Sequence, residues 1–204
     1  MGAGTVLDLW PTVILTRQVA DAAGINADLQ RDILAREAGD RSRSLGVVGG
    51  RKSGPDLLRW GTQATNRISA LVGEVVEEVT AATAGHSSAL GDPVPTPESF
   101  TAHAWAVVYR QGGYHTLHAH HDSAWSGVYY VAADPSPAGG GAIHLYDPRS
   151  ALLARQGDLP NTAIARIQPE PGTLLAFPSW LLHSVTPVAR PDLRISVAFN
   201  ISFP

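Results

Sequence analysis

From Phe100 onward the sequence consists of short β-type segments separated by turns that contain glycine or proline. We predict eight strands, at residues 102–110, 114–120, 126–131, 141–146, 163–167, 172–177, 184–188 and 194–202. The turns between them are predicted at residues 112–113, 134–141, 147–148 and 169–172. Eight short strands with these breaks favour a jelly-roll or barrel.

The last of these segments alternates most clearly between two faces, because successive side chains of a strand point to opposite sides. One face is apolar and is expected to pack under the N-terminal helices: Ile195, Val197, Phe199 and Ile201. The other face is small or polar, as the lining of a cavity should be: Arg194, Ser196, Ala198 and Asn200.

The first hundred residues have a helical pattern instead. Residues 18–37 are predicted as a helix interrupted at Gly24, and residues 60–83 as a second helix with an apolar stripe. Residues 41–55, rich in Gly, Ser and Arg, are predicted as a mobile loop, and residues 85–98 as the connector. We therefore expect one domain over residues 1–204, in which residues 1–99 form a helical layer on one sheet of the β core at 100–204.

Composition excludes several classes of function. The charged fraction of 16% and net charge of −3 include no basic stripe, so nucleic-acid binding is not expected. The chain has no cysteine, which excludes disulfides, thiolate metal sites and a cysteine nucleophile, and which fits a cytoplasmic location. No apolar stretch reaches the ~20 residues of a membrane span. The largely apolar residues 5–15 suit either an extra strand or a homodimer interface.

A cluster of histidines carries the strongest chemical signal. His118 and His120 are two residues apart on a predicted strand and share a face, whereas His115 and His121 are expected on the opposite face, in structural or surface roles. His183 is the natural third ligand, and such a set leaves metal positions open for a substrate and oxygen. Asp122 offers a competing register, in which His120 and Asp122 bind with His183 as two histidines and one carboxylate.

Arg194 lies eleven residues after His183, at the head of the cavity-lining face. A guanidinium can hold a carboxylate through two parallel hydrogen bonds, and Ser196 on the same face can add a hydroxyl. The phenols of Tyr109 and Tyr130 could reach that carboxylate or the oxygen ligands of the metal, although a core role for Tyr130 is equally compatible.

Three further side chains are weaker candidates for a substrate pocket. Trp105 and Trp180 could line it, but aromatic residues at such positions are more often part of the core. Arg149 could face an anionic substrate, or it could pair with Asp147. The loops at residues 41–55, 132–140 and 150–161 are expected at the cavity mouth, where specificity usually resides.

Four ordered motifs resemble those of the Fe(II)/2-oxoglutarate-dependent oxygenases, in particular a bacterial and phage branch of that family. The first is His-x-His-x-x-Ser-x-x-Ser-Gly-Val-Tyr-Tyr at residues 118–130, and the second is Asp-Pro-Arg at 147–149. The third is Gly-x-x-x-x-Phe-Pro-Ser-Trp-x-x-His-x-Val-x-Pro at residues 172–187, and the fourth is Arg-Ile-Ser-x-x-Phe-Asn at 194–200. Together they span roughly half of the chain and are specific in their order.

The resemblance implies a double-stranded β-helix, cupin-like, and Fe(II), 2-oxoglutarate and O2 as cofactor and cosubstrates. Residues 109–120 are also similar to the Tyr-x-x-Gly-…-His-x-Asp pattern of prolyl hydroxylases, with His118 as first ligand and His120 in the place of the carboxylate. By this resemblance the ligands are His118, His120 and His183. Arg194, with Ser196 and Tyr130, would hold the far carboxylate of 2-oxoglutarate.

The activity implied is oxidation, by default hydroxylation, of an unactivated C–H bond of a small molecule, with release of succinate and CO2. Two alternatives stay open. The first is a three-histidine dioxygenase or metal isomerase of the cupin type that uses no keto acid. The second is a non-catalytic cupin that binds a ligand.

Overall fold

The computed structural model describes residues 11–37, 39, 46–88, 99–149 and 163–204. Over these ranges the chain forms two α-helices, α1 (Ala22–Glu37) and α2 (Gln63–Ser88), and nine strands. The strands are β1 (Leu15–Gln18), β2 (Val47–Lys52), β3 (Thr101–His118), β4 (Trp125–Ala132), β5 (Ile143–Tyr146), β6 (Ile164–Ile167), β7 (Thr173–Pro178), β8 (His183–Val185) and β9 (Arg194–Ser202).

All strand pairs in the described chain are antiparallel, in the order β1-β7-β4-β9-β3-β8-β5-β6, with β2 added to β3. The long strand β3 belongs to both halves of this curled sheet. Its first part, from Thr101 to Tyr109, pairs with β9, and its last part pairs with β8. This arrangement is the double-stranded β-helix that the sequence predicted.

The glycine pair at 112–113 does not form the predicted turn. The two strands predicted on either side of it are one continuous strand, β3, and Gly112 is accommodated within it at a φ of 79°. The amide of Gly112 donates to the carbonyl of Val188, and the amide of Val188 donates to the carbonyl of Gly113. The glycines therefore form an irregularity that stays hydrogen-bonded to the neighbouring segment.

Both helices pack on one face of the sheet, as expected, but the start of α1 was predicted wrongly. Residues 15–18 form the edge strand β1, which pairs with β7, and α1 begins only at Ala22 and runs through Gly24 without interruption. The predicted helix at 60–83 is α2, at residues 63–88. Its apolar stripe is buried throughout, at Ile68, Leu71, Val72, Val75, Val76 and Val79.

The main core lies between α2 and the apolar face of β9, whose four apolar side chains belong to the same buried cluster as the stripe of α2. Burying a side chain of this size contributes about 1.5–3 kcal/mol. The opposite face of β9 borders a cavity with its four small or polar residues. The alternation read from the sequence thus separates the core from the cavity.

The prediction of a loop at residues 41–55 was wrong for its second half. Residues 47–52 form β2, which pairs with β3 from His115 back to Val107. The glycines that suggested a loop are required by close approach, because a Cβ on Gly50 would lie 2.7 Å from the carbonyl oxygen of Val108. The first part of that predicted loop, residues 41–45, lies outside the described residues, as does most of the segment 5–15. In the described chain no helix combines the length and apolarity needed to cross a membrane.

Candidate metal and carboxylate site

Three histidines converge at one end of the cavity. His118 near the end of β3 and His183 at the start of β8 are direct Cα partners across the two strands. His120 follows β3, where its amide donates to the carbonyl of Ser179 at 2.9 Å. One ring nitrogen of each histidine lies within 4.8 Å of those of the other two. Backbone pairing therefore brings together three side chains that are far apart in sequence.

Backbone hydrogen bonds orient two of these rings. The Nδ1 of His118 is 2.8 Å from the carbonyl oxygen of Thr116, and the Nδ1 of His183 is 2.9 Å from that of Leu181. A carbonyl can only accept, so each Nδ1 carries the proton and each Nε2 keeps its lone pair. Such a bond to the second nitrogen is the usual way in which a ligating imidazole is held.

Burial keeps all three imidazoles neutral, which is the form that binds metal. Desolvation is the largest cause in each case. It lowers the pKa of His183 to about 3 and that of His120 to about 4, and in both cases the charge of His118 lowers the value further. Desolvation also lowers the pKa of His118. His183 is 5% exposed. The site thus offers three nitrogen donors without competition from protons at neutral pH.

The carboxylate alternative has no geometric support. Asp122 is exposed and does not belong to the group of converging donors. Its described contact is made by its backbone, which accepts a hydrogen bond from Ser202. His121 is also exposed, in agreement with the expected surface role.

The expected position of His115 was wrong. The register of β3 against β8 shifts between His115 and His118, so the two residues do not lie on opposite faces as in a regular strand. Their rings stack instead, with centroids 4.0 Å apart and planes 16° apart. His115 lines the cavity, and its Nδ1 is 3.1 Å from the hydroxyl of Tyr109.

Arg194 lies at the other end of the same cavity and is 3% exposed. Its Nε donates to the carbonyl of Gly141 at 2.9 Å, and one terminal nitrogen donates to the hydroxyl of Ser196 at 3.2 Å. No carboxylate among the described residues forms an ion pair with it. A buried charge without a counter-ion is costly, so the site is suited to an anionic ligand.

Two tyrosines flank this guanidinium, as Tyr109 and Tyr130 place their ring centroids 5.4 and 5.2 Å from its central carbon. The Tyr130 hydroxyl is buried and, among the described residues, has no partner with good hydrogen-bond geometry, although Arg194 is close enough to lower its pKa. Burial raises the pKa of Tyr130, and it raises that of Tyr109 to about 12, against the opposing effect of Arg194. Both phenols therefore stay protonated and able to donate.

The weaker candidates are distributed differently. Trp105 lines the cavity, with its ring centroid 5.9 Å from that of His120. Trp180 is 50% exposed and does not line the cavity. Arg149 is also exposed, outside the cavity lining, and pairs with Asp147 at 2.7 Å. The predicted specificity loop at 150–161 lies outside the described residues.

Sequence reasoning missed one charged neighbour of the histidines. Lys52 on β2 holds its ammonium 4.3 Å from the centroid of the Trp105 ring, and it lowers the pKa of His118 and of His120. The Gly-Gly-Arg-Lys segment carries no pattern that would have indicated this position, because its strand is recognisable only by its pairing with β3.

Comparisons with known proteins agree with this geometry. The family model described as "Putative 2OG-Fe(II) oxygenase" matches residues 103–200. No curated protein matches the chain significantly. A prolyl-4-hydroxylase from Pseudomonas putida superimposes with a TM-score of 0.65 at 16% identity, over 94% of this chain and 92% of that one.

Two further similar structures contain bound 2-oxoglutarate. HygX from Streptomyces hygroscopicus, with nickel and 2-oxoglutarate, has a TM-score of 0.63 at 14% identity, over 94% of this chain and 83% of that one. The viral collagen prolyl hydroxylase of Paramecium bursaria Chlorella virus-1, in its 2-oxoglutarate complex, has a TM-score of 0.60 at 14% identity, over 92% of this chain and 94% of that one. The match over the strand-rich residues 103–200 and this shared fold make the chain similar to the 2OG-Fe(II) oxygenases, whose cofactors are Fe(II) and 2-oxoglutarate.

Proposed function

We propose that this protein hydroxylates an unactivated C–H bond of a small molecule, using Fe(II), O2 and 2-oxoglutarate and releasing succinate and CO2. The observation that carries the proposal is one cavity with three neutral histidines at one end and, at the other, a buried arginine that has no counter-ion among the described residues. We also propose that residues 1–204 form a single oxygenase domain. The absence of cysteine supports a cytoplasmic location.

The donor set fits Fe(II). His118, His120 and His183 would hold the metal, since imidazole nitrogen is a suitable ligand for iron and three protein ligands leave positions open. Bound iron supplies the activation of O2 that oxidation of an inert C–H bond requires. Because all three ligands are neutral, the protein leaves the charge of the metal uncompensated, which favours a dianionic chelator such as 2-oxoglutarate.

The far end of the cavity fits the second carboxylate of 2-oxoglutarate. Arg194 would hold it, together with the Ser196 hydroxyl, and the buried hydroxyl of Tyr130 would donate a further hydrogen bond. Tyr109 is the remaining phenol at this end, but its hydroxyl already has His115 as a partner. The protein's contribution is to hold the ends of the keto acid, fixing its orientation before O2 reacts.

Apolar walls of the cavity would limit the access of water to the reacting centre. Val128, Ile143 and Phe177 line it alongside the histidines, and the ring of Phe177 packs 4.8 Å from that of His183. Removing water strengthens the electrostatic interactions at both ends and protects reactive species from side reactions.

The proposal is tested by adding Fe(II) and 2-oxoglutarate under anaerobic conditions and recording the weak visible absorption band of the chelate. We expect the band in the wild type, its loss in His118→Ala and its weakening in Arg194→Ala. Arg190→Ala is the matched control, because Arg190 is exposed, pairs with Asp134 and is not part of the cavity lining. Formation of succinate after admission of air would establish turnover.

A three-histidine dioxygenase that uses no keto acid is the second candidate. One specific observation favours it, namely that His120, and not a carboxylate, lies beside the other two ligands. Stoichiometric iron binding without the chelate band, and without succinate formation, would support this candidate against the first.

A further inference from the structure

A lysine without an ionic partner among the described residues lies against Trp105, a wall of the proposed metal site. Lys52 is the Cα partner of Val107, which lines the cavity, so its side chain lies on the cavity side of β2. Its ammonium is 4.3 Å from the centroid of the Trp105 ring, which in turn is 5.9 Å from that of His120. The lysine thus faces the histidine end of the cavity across one aromatic ring.

Lys52 and Arg194 contact different parts of the site. Lys52 lies over Trp105, the ring next to His120, whereas Arg194 lies against the rings of Tyr109 and Tyr130. Two cationic groups therefore lie at different places: Arg194 lines the cavity, whereas Lys52 is outside its lining and contacts its wall at Trp105. One is suited to the far carboxylate of 2-oxoglutarate, and the other has no assigned role in holding that molecule.

Lys52 has no anionic partner among the described residues, where its described contact is with the face of Trp105. It is half-buried, and desolvation lowers its pKa. The lining of the cavity contains neither aspartate nor glutamate. A partly desolvated ammonium in such surroundings is stabilised by an anion that comes from outside the protein.

A charge inventory of the loaded site leads to the same conclusion. Fe(II) brings two positive charges, Lys52 and Arg194 bring one each, and the three histidines bring none. The 2-oxoglutarate dianion cancels only two of these four. A ligand triad with a carboxylate would cancel one more, but here that position is His120. The remaining excess of positive charge favours a negatively charged substrate.

Resting on the proposed function, we propose that Lys52 binds an anionic group of the substrate beside the metal, so that the substrate is an organic carboxylate or phosphate. Trp105 would form the apolar wall along which this group reaches the ammonium. Lys52 acts here by binding and positioning, and it takes no part in the oxidation itself.

The test uses the full chain with Fe(II) and saturating 2-oxoglutarate under anaerobic conditions. The probes are benzoate, its neutral analogue benzamide, and inorganic phosphate, with their affinities measured by equilibrium dialysis while the chelate band is recorded. The variants are Lys52→Met and Lys52→Arg. Arg51→Met is the matched control, because it removes the same charge one residue away, from an exposed side chain on the other face of β2.

We expect the wild type to bind benzoate or phosphate more tightly than benzamide. The anion that binds more tightly then indicates whether the anionic group of the substrate is a carboxylate or a phosphate. Lys52→Met should lower the affinity for that anion by about tenfold or more, as expected for loss of a charge-assisted hydrogen bond. Lys52→Arg should retain most of the affinity, and Arg51→Met all of it.

Equal binding of benzamide, or an anion affinity unchanged in Lys52→Met, would overturn the inference. So would a loss of 2-oxoglutarate affinity in Lys52→Met with anion binding intact, because the lysine would then serve the cosubstrate. Absence of the chelate band in the wild type would instead remove the proposed function, and this inference with it. The two failures are therefore distinguishable.

Discussion

Replacing Arg194 by methionine should separate ligand binding from stability. In most proteins the loss of a buried, hydrogen-bonded side chain destabilises the fold, but Arg194 is 3% exposed and has no ionic partner among the described residues. Its removal relieves the cost of a buried unpaired charge, which is several kcal/mol. The same change deprives the carbonyl of Gly141 of its donor, at a cost of about 1–3 kcal/mol.

The ligand-free variant should therefore be no less stable than the wild type. Its affinity for 2-oxoglutarate should fall sharply, since truncating one partner of a buried charge pair costs about 2–5 kcal/mol, or between about 30-fold and about 5,000-fold. A ligand present at a hundred times its Kd stabilises the wild type by about 2.7 kcal/mol, which for a chain of this size raises Tm by about 5–10 °C.

The assay is thermal unfolding with Mn(II) in place of iron, with and without 2-oxoglutarate. The wild type should gain the full shift in Tm, Arg194→Met almost none, and Arg190→Met the full shift, because Arg190 is 55% exposed and its surface ion pair is worth about 0–1 kcal/mol. A Tm for ligand-free Arg194→Met that lies several degrees below the wild type, with the 2-oxoglutarate shift preserved, would refute the reasoning.

Three further results are expected. His120 and His183 have folded pKa values of about 4 and about 3, below the ordinary 6.5, so the metal-free protein should lose stability as pH falls below about 6.5, which a Tm series from pH 7 to pH 4 would measure. His183→Ala should abolish binding of Co(II) followed by its visible spectrum, whereas Asp122→Ala should leave it unchanged, and the opposite pattern would revive the carboxylate register. Gly127→Ala should destabilise the fold by about 1–3 kcal/mol in urea unfolding, because the added Cβ would overlap the ring of Phe199.

Periodic segments made the fold predictable. The apolar stripe of α2 and the alternation of β9 are repeated over enough residues for the pattern to identify both the element and its buried face. The two patterns also belong together, because the faces they predict pack against each other in one core. Local periodicity was therefore sufficient where an element has one face in the core and the other in a cavity or in water.

The errors arise where pairing with another strand overrides local preference. Residues 47–52 contain two glycines and no alternating pattern, yet they form β2 because β3 offers a free edge. The same applies to β1, whose four residues pair with β7 and whose last residue, Gln18, was predicted as the start of a helix. Such short edge strands carry too few side chains in the core to leave a signal in the sequence.

The position of His115 illustrates how a single irregularity changes a site. The rule that alternate residues share a face holds only while the register is unbroken, and β3 shifts against β8 between His115 and His118. The sequence indicated an interruption at the nearby glycine pair, but it was interpreted as a turn between two strands. A continuous strand with an irregularity contains the same glycines, but it brings the ring of His115 against that of His118 instead of placing it on the opposite face.

Strand β3 links the two ends of the cavity. Its Tyr109 is the Cα partner of Arg194 on β9, and its His118 is the Cα partner of His183 on β8. Side-chain contacts follow the same path, from Arg194 to the ring of Tyr109, through its hydroxyl to His115, and by stacking to His118. The separation between the arginine end and the histidine end is thus set by the register of one strand. A bifunctional ligand of fixed length, such as a dicarboxylic keto acid, is the kind of molecule that such a fixed separation can select.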